Sequence, residues 1–311
     1  MLDLPPNLLP AIAIITVFNA APGLLTLCSS LLCQVEQVII VDDASEFNQD
    51  DVLDHCERLG CTVVRQPHNL GVAAALNAGI ALAIRREPTP LYVLTFDHDS
   101  SVPRSYVKDL ADAALLAVHA GIRVGMVAPE KIEGLPTKVK SSVGTILFGD
   151  EPIQSGLLIP VPVIQDIGIF LESLFIDAID TEYFLRARKA GYEVILARDV
   201  ELGHSLGTRF YPRVFGHQLT ISGNPVGLVR SAPFRYYYIA RNHITVLRLY
   251  SRAFPWWGVR ETILDLRHFF ILLLLAPGRL ELVRMLAAGW RDGMAGVGGR
   301  IPPGLLRINR R

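Results

Sequence analysis

The chain has 311 residues, half of them hydrophobic, a mean hydropathy of +0.34 and a formal net charge of zero, enough for one large α/β domain or two smaller ones. That zero hides an asymmetry: residues 1–208 carry 14 Lys and Arg against 26 acids, whereas residues 209–311 carry 16 arginines, no lysine and four acids. A basic rear on an acidic front suits an anionic surface.

No charge falls between Leu4 and Val35, but Pro5, Pro6, Pro10, Pro22 and Gly23 break the stretch, so a spanning helix is not expected there. No Lys or Arg precedes it, so neither a secretory signal nor export is expected. AIAIITVF (11–18) is a β-rich apolar run stopping at Asn19. LLTLCSSLLCQV (24–35) predicts a helix and QVIIVDD (37–43) a second buried strand ending in acids. Residues 51–60 predict a helix, 61–66 a third strand, 71–86 an alanine-rich helix and 91–96 a fourth strand. Strands and helices alternating over short connections indicate a parallel sheet covered on both faces. The four cysteines form two C-x4-C pairs without zinc-knuckle spacing, which predicts buried, reduced thiols.

A helix (104–120) and a strand (124–129) follow, then a Gly/Pro-punctuated region and a segment, 171–188, helical in its second half. No internal repeat is visible. In the tail, 262–276 is apolar for eight residues from Phe269 and ends at Pro277-Gly278, too short to span a bilayer. Leu282, Val283, Leu286, Ala287 and Trp290 form a helical stripe with Arg284 and Arg291 off it. With the arginine excess and three tryptophans, this predicts a helical pair lying on a membrane surface.

The chemistry concentrates where ligands of parallel sheets bind, at the carboxyl ends of the strands. Thr16 to Asn19, Asp42-Asp43 and Asp97-x-Asp99 all fall there. Alternation sends Asp97 and Asp99 to one side of an extended chain, and two carboxylates that close call for a divalent cation. Neither a Walker loop nor G-x-G-x-x-G is present, so an NTPase or a dinucleotide oxidoreductase is not supported.

TVFN (16–19), VDDAS (41–45), HNLGVAAALNAGI (68–80), DHDS (97–100), FIDAIDTEYFLRARKAG (175–191) and HSLG (204–207) together resemble the inverting family 2 glycosyltransferases with the GT-A fold, over roughly residues 11–250. Within that family FID-x-x-DTE-x-x-LRA-x-x-x-G, HSLG and YYY-x-x-RN (236–242) are most similar to bacterial rhamnosyltransferases using dTDP-L-rhamnose; those read Asp-Gln-Asp-Ser where His98 stands here.

The resemblance implies a mostly parallel GT-A sheet flanked by helices. Residues 1–103 would form the nucleotide-sugar-binding half, 104–215 the acceptor-binding and catalytic half, and 216–311 a basic, amphipathic helical C-terminal region. Thr16 and Asn19 would line the nucleobase site, Asp43 would accept from the base imide N–H, and Asn69, Gly71 and Asn77 would close over the nucleotide. Asp97, Asp99 and His204 would hold Mg²⁺ or Mn²⁺ on the diphosphate, with His98 beside the donor. Asp180 would be the general base, with Asp177 supporting it and Glu182 a solvated helix acid. The activity implied is transfer of a deoxysugar, rhamnose, to a lipid-linked cell-surface glycan at the inner face of the membrane. The rivals are another donor, UDP-galactofuranose or UDP-N-acetylglucosamine, and a nucleotidyltransferase, whose basic phosphate loop TVFNAAPG does not supply. No motif for nucleic acid is present.

Overall fold

The computed structural model describes the chain apart from residues 1–7, 21–22, 47–49, 205–207, 215–216, 219, 222–223, 226 and 307–311. Its contacts form two compact units, Met1–Glu172 with Ile179–Ser205, and Ser173–Ala178 with Leu206–Arg311. The first unit takes in both expected halves of the α/β domain. The second joins the chain from Leu206 onward with a six-residue piece, 173–178, from ahead of α6.

In the first unit β1 (Leu9–Val17), α1 (Leu24–Leu32), β2 (Val35–Asp42), α2 (Asp50–Arg58), β3 (Thr62–Arg65), α3 (Val72–Ile84), β4 (Tyr92–Asp97) and α4 (Tyr106–His119) follow the predicted order. They continue into β5 (Val124–Ile132), β6 (Leu135–Pro136), β7 (Val139–Val143), β8 (Ile146–Gly149), β9 (Leu157–Pro160), α5 (Val161–Ile167), α6 (Ile179–Lys189) and β10 (Glu193–Leu202). All ten strands join one sheet in the order β3-β2-β1-β4-β9-β5-β10-β8-β7, with β6 on β5. Every residue of β1 from Ala11 to Val17 is buried, as a strand covered on both faces requires.

The sheet is mixed rather than parallel throughout. β1 to β4 pair parallel, but β9 runs antiparallel between β4 and β5, and β7 and β8 close the edge antiparallel. The register sets up the site: Thr16 faces Asp97 across β1 and β4, and Val17 faces Asp42 across β1 and β2. Three polar strand ends therefore share one edge. Cys28, Cys56 and Cys61 are buried and unbridged as expected, whereas Cys33 is exposed.

The second unit is built on α7 (Pro233–Tyr250), α8 (Pro255–Leu275) and α9 (Arg279–Ala295). α7 and α9 meet almost backbone to backbone: a Cβ on Gly289 would lie 2.2 Å from the Tyr237 carbonyl oxygen, and one on Gly293 would lie 2.8 Å from that of Arg241. Tyr237 hydroxyl donates to Asp292 at 2.8 Å across the same contact. The sequence stripe on α9 proves to be two faces. Leu282 is buried and Leu286 packs on the core, while Val283, Ala287 and Trp290 are exposed.

The YYY-x-x-RN run has a clear task within this unit. Arg241 and Asn242 are fully buried. Asn242 Nδ2 donates to the carbonyls of Leu174, Ile176 and Asp177 at 2.9, 2.7 and 2.8 Å. Arg241 donates to the carbonyls of Ser173, Leu174 and Gly299, and its guanidinium lies 4.9 Å from the Tyr238 ring centre. The segment they hold is left-handed at three non-glycine residues, Phe175, Asp177 and Ala178, with φ of 66°, 62° and 59°. Such backbone persists only where its surroundings over-determine it. Asn242→Ala takes the Nδ2 donor from the carbonyls of Ile176 and Asp177, while that of Leu174 keeps Arg241, so a loss of about 2 kcal/mol and a fall in melting temperature of roughly 5 °C are expected. A calorimetric scan showing no shift would mean the segment holds itself.

Candidate functional site

Asp97 is the last residue of β4, and Asp99 follows in the turn. His204 arrives from β10, just past the main-chain pairing of Ser101 with Gly203, whose two bonds measure 2.7 and 2.9 Å. A Cβ on residue 203 would push against the Ser101 hydroxyl, which glycine leaves room for. The result is one cluster: His204 Nδ1 stands 3.2 Å from Asp99 Oδ1, and His204 Nε2 stands 3.7 Å from Asp97 Oδ2. Ser100 Oγ braces it, 2.7 Å from Ser155 Oγ and 3.3 Å from His204 Nδ1, while Asp97 N–H donates to Ser155 Oγ at 3.1 Å. Thr16 Oγ1 donates to Asp97 Oδ1 at 3.4 Å.

The charges are mutually adjusted. Burial raises the Asp97 carboxyl against the pull of His204, and the hydrogen bond from His204 lowers that of Asp99. Burial opposes the His204 cation, but the bond to Asp99 and the charge of Asp97 outweigh it and raise its pKa. The His204 ring thus sits between two carboxylates, and a divalent ion bound there would displace its proton. One ligand atom from each of the three residues lies within 4.8 Å of the others. Two carboxylates and one imidazole form a hard, mixed donor set that suits Mg²⁺ or Mn²⁺.

Asp43, buried at the end of β2, accepts from the N–H groups of Leu70 and Gly71 at 2.7 and 2.8 Å. It thereby anchors the loop that opens α3, where Gly71 has φ of 94°. The Oδ1 of Asn69 in that loop and the Oε1 of Gln66 are buried acceptors without a hydrogen-bond partner. Such orphans invite a ligand's N–H groups. Asn19, left-handed at φ 58°, takes the N–H of Glu46 on its side chain and gives its own N–H to Ser45 Oγ. Half-buried His98 follows Asp97, and its charge lowers the pKa of both aspartates.

Two expected roles look different in the structure. The Asn77 side chain is buried and fully engaged, donating to Phe170 O and Glu172 Oε1 and accepting from Phe170 N–H, each at 2.9 Å. It braces α3 against residues 170–172, with both of its amide hydrogens in use. Glu182 is not a solvated acid: it is 3% exposed and grips Arg186 at 2.6 and 3.2 Å. The helical pattern misleads here because Arg186, one turn on, also donates to the carbonyls of Ile167 and Ile169, which roofs the pair over.

Asp180 sits half-buried in the first turn of α6 and accepts from the N–H of Thr181 at 2.9 Å. Asp177, in the other unit, is committed to a two-pronged ion pair with Arg235. Of the HSLG motif, residues 205–207 lie outside the described residues. Sequence reasoning missed the serine brace, Ser100 with Ser155. Its only local signal is Gly156, left-handed at φ 82° and donating to Thr95 O at 2.7 Å.

Comparison with known proteins agrees with this picture. Residues 12–131 match the family described as Glycosyl transferase family 2. A relative, the dTDP-rhamnosyl transferase RfbF of Shigella flexneri, is 24% identical over 299 residues, covering 92% of this chain and 96% of that one. Among solved structures, GalNAc-T7 with UDP, GalNAc and Mn²⁺ aligns with a TM-score of 0.56 at 13% identity, over 78% of this chain and 48% of that one. This chain therefore spans about half the length of that protein. The shared architecture is the GT-A-like mixed sheet flanked by helices, followed here by C-terminal helices. Among the described residues no helix is long and apolar enough to cross a membrane.

Proposed function

We propose that this chain, which carries a Glycosyl transferase family 2 domain over residues 12–131, transfers L-rhamnose from dTDP-L-rhamnose, with inversion, to a lipid-linked glycan at the inner face of a cell membrane. The observation that carries it is the Asp97, Asp99 and His204 cluster at the carboxyl edge of the sheet, inside the fold that the family uses. The relative named for dTDP-rhamnosyl transfer, alike along nearly its whole length, supports the donor.

The residues divide the work simply. Asp43 holds the 69–71 loop against the sheet edge, and either of the open acceptors of Gln66 and Asn69 suits the single imide N–H of a thymine base. Asp97, Asp99 and His204 would hold Mg²⁺ or Mn²⁺, which when bound offsets the charge of the departing nucleoside diphosphate. Asp180 takes the proton of the acceptor hydroxyl as that oxygen attacks the anomeric carbon and the bond to the diphosphate breaks. No covalent intermediate is needed.

A donor panel with purified protein and Mn²⁺ or Mg²⁺, scored by nucleoside diphosphate release, tests the proposal. dTDP-rhamnose is expected to turn over fastest. Faster turnover of UDP-galactofuranose or UDP-N-acetylglucosamine would keep the reaction class and replace the sugar. Release of pyrophosphate from a nucleoside triphosphate, with no sugar transfer, would overturn it in favour of a nucleotidyltransferase.

A further inference from the structure

α8 and α9 each turn an apolar face to solvent that no described residue covers. On α8 it runs through Trp256, Val259, Ile263, Leu266 and Phe270, and Trp256 is 83% exposed. On α9 it runs through Leu280, Val283, Ala287, Trp290 and Met294, with Leu280 88% and Trp290 63% exposed. The spacing is the same on both helices, 24 residues apart, and each is a single helical face. These are not core residues left partly open: the opposite faces, through Trp257 and Leu272 on α8 and Leu282 and Met285 on α9, are the buried ones.

The charges repeat with the stripes. Arg260 and Arg267 border the α8 stripe at the positions that Arg284 and Arg291 take on α9. The acids lie away from the stripes, although Arg260 reaches back to Glu261 at 2.7 Å and Arg291 to Asp292 at 2.8 Å. Asp265 pairs with His243 of α7 at 2.9 Å, and Asp292 is buried under the hydroxyl of Tyr237. A second copy of the chain would suit the spacing, which is that of a coiled-coil seam. Such a seam needs opposite charges at its borders, however, and a copy of this face brings arginine to arginine. An anionic bilayer accepts both features: tryptophan and leucine enter the acyl boundary while the guanidiniums meet the headgroups.

We propose that these two stripes are the surface by which the chain rests on an anionic phospholipid bilayer, with the bordering arginines binding headgroup phosphates. The inference deepens the membrane location in the proposed function by assigning the residues that meet the lipid.

The test uses the full chain with mixed phosphatidylglycerol–phosphatidylcholine vesicles and with pure phosphatidylcholine vesicles. Wild type is expected to co-sediment with the first and not the second. Replacing Arg260, Arg267, Arg284 and Arg291 together with Gln is expected to weaken that binding by roughly 600-fold at most, as about fivefold per charge predicts. Brominated lipid is expected to quench wild-type fluorescence, but not that of a Trp256→Phe, Trp290→Phe double variant, whose remaining Trp257 is buried. Unchanged binding by the arginine variant, or unchanged quenching in the double variant, would overturn the assignment. So would a wild-type dimer that Leu280→Ser dissociates and that ignores vesicles, since the face would then be homotypic. Nucleoside diphosphate release from dTDP-rhamnose, measured on the same variants in detergent, separates this outcome from failure of the glycosyltransferase proposal.

Discussion

Asp99→Ala is expected to lower donor turnover by about three orders of magnitude while leaving the melting temperature nearly unchanged. The carboxylate is 39% exposed and supports no strand or helix; among the described residues its side-chain partner is His204. Removing it takes away one of three converging ligands and the charge that raises the His204 pKa, so a cation would be held by two donors instead of three. Asp97→Ala should cost as much in turnover and more in stability, because Asp97 is tied to Thr16 and to the serine brace through β4. His204→Ala should be milder, since the two carboxylates remain. The measurement is calorimetric titration of dTDP with and without Mn²⁺, in wild type and in the Asp99 variant. Equal affinity in all four titrations would mean that the cluster is an ion pair with no metal to bind.

That cluster was half legible in the sequence. A β-run ending in Asp-x-Asp places two carboxylates at a strand end on local grounds alone, and the register of β1 with β4 bears this out. His204 has no local signal of its own, because its position depends on Ser101 pairing with Gly203 some hundred residues away in the chain. The first four strands were recoverable for a related reason. Each is a short apolar run bounded by a helix of different period, although their order in the sheet, β3-β2-β1-β4, is set by the crossovers. β10 escaped because EVILARDVEL mixes charge into its second half, where Arg198 and Asp199 leave the sheet at a register shift.

What the sequence hid most completely is the piece 173–178. It looks like the lead-in to α6, yet it belongs with the C-terminal helices because Arg241 and Asn242 satisfy its carbonyls across more than sixty residues. Glu182 and Leu282 failed on a common point. Helical spacing tells which residues share a face, but not which face is covered. An ion pair under two carbonyls buries an acid that composition would leave in water.

Asp180→Asn is the test of the base. Its carboxylate stands in the first turn of α6, where the helix dipole favours the ionised form that can accept a proton. Asn keeps the shape and can still accept from the N–H of Thr181, so the fold is expected to survive. What is lost is the basic oxygen, and kcat should fall on the order of 10²–10⁴-fold with donor affinity close to wild type. Glu182→Gln cannot serve as a neutral control, because Glu182 is buried and breaking its ion pair with the half-buried Arg186 should lower the melting temperature. Neither is Asp177 a ready substitute base, because its two oxygens are held by Arg235. If the Asn variant turns over as fast as wild type, Asp180 is a helix cap, and the proton must go to a group that the acceptor itself brings near.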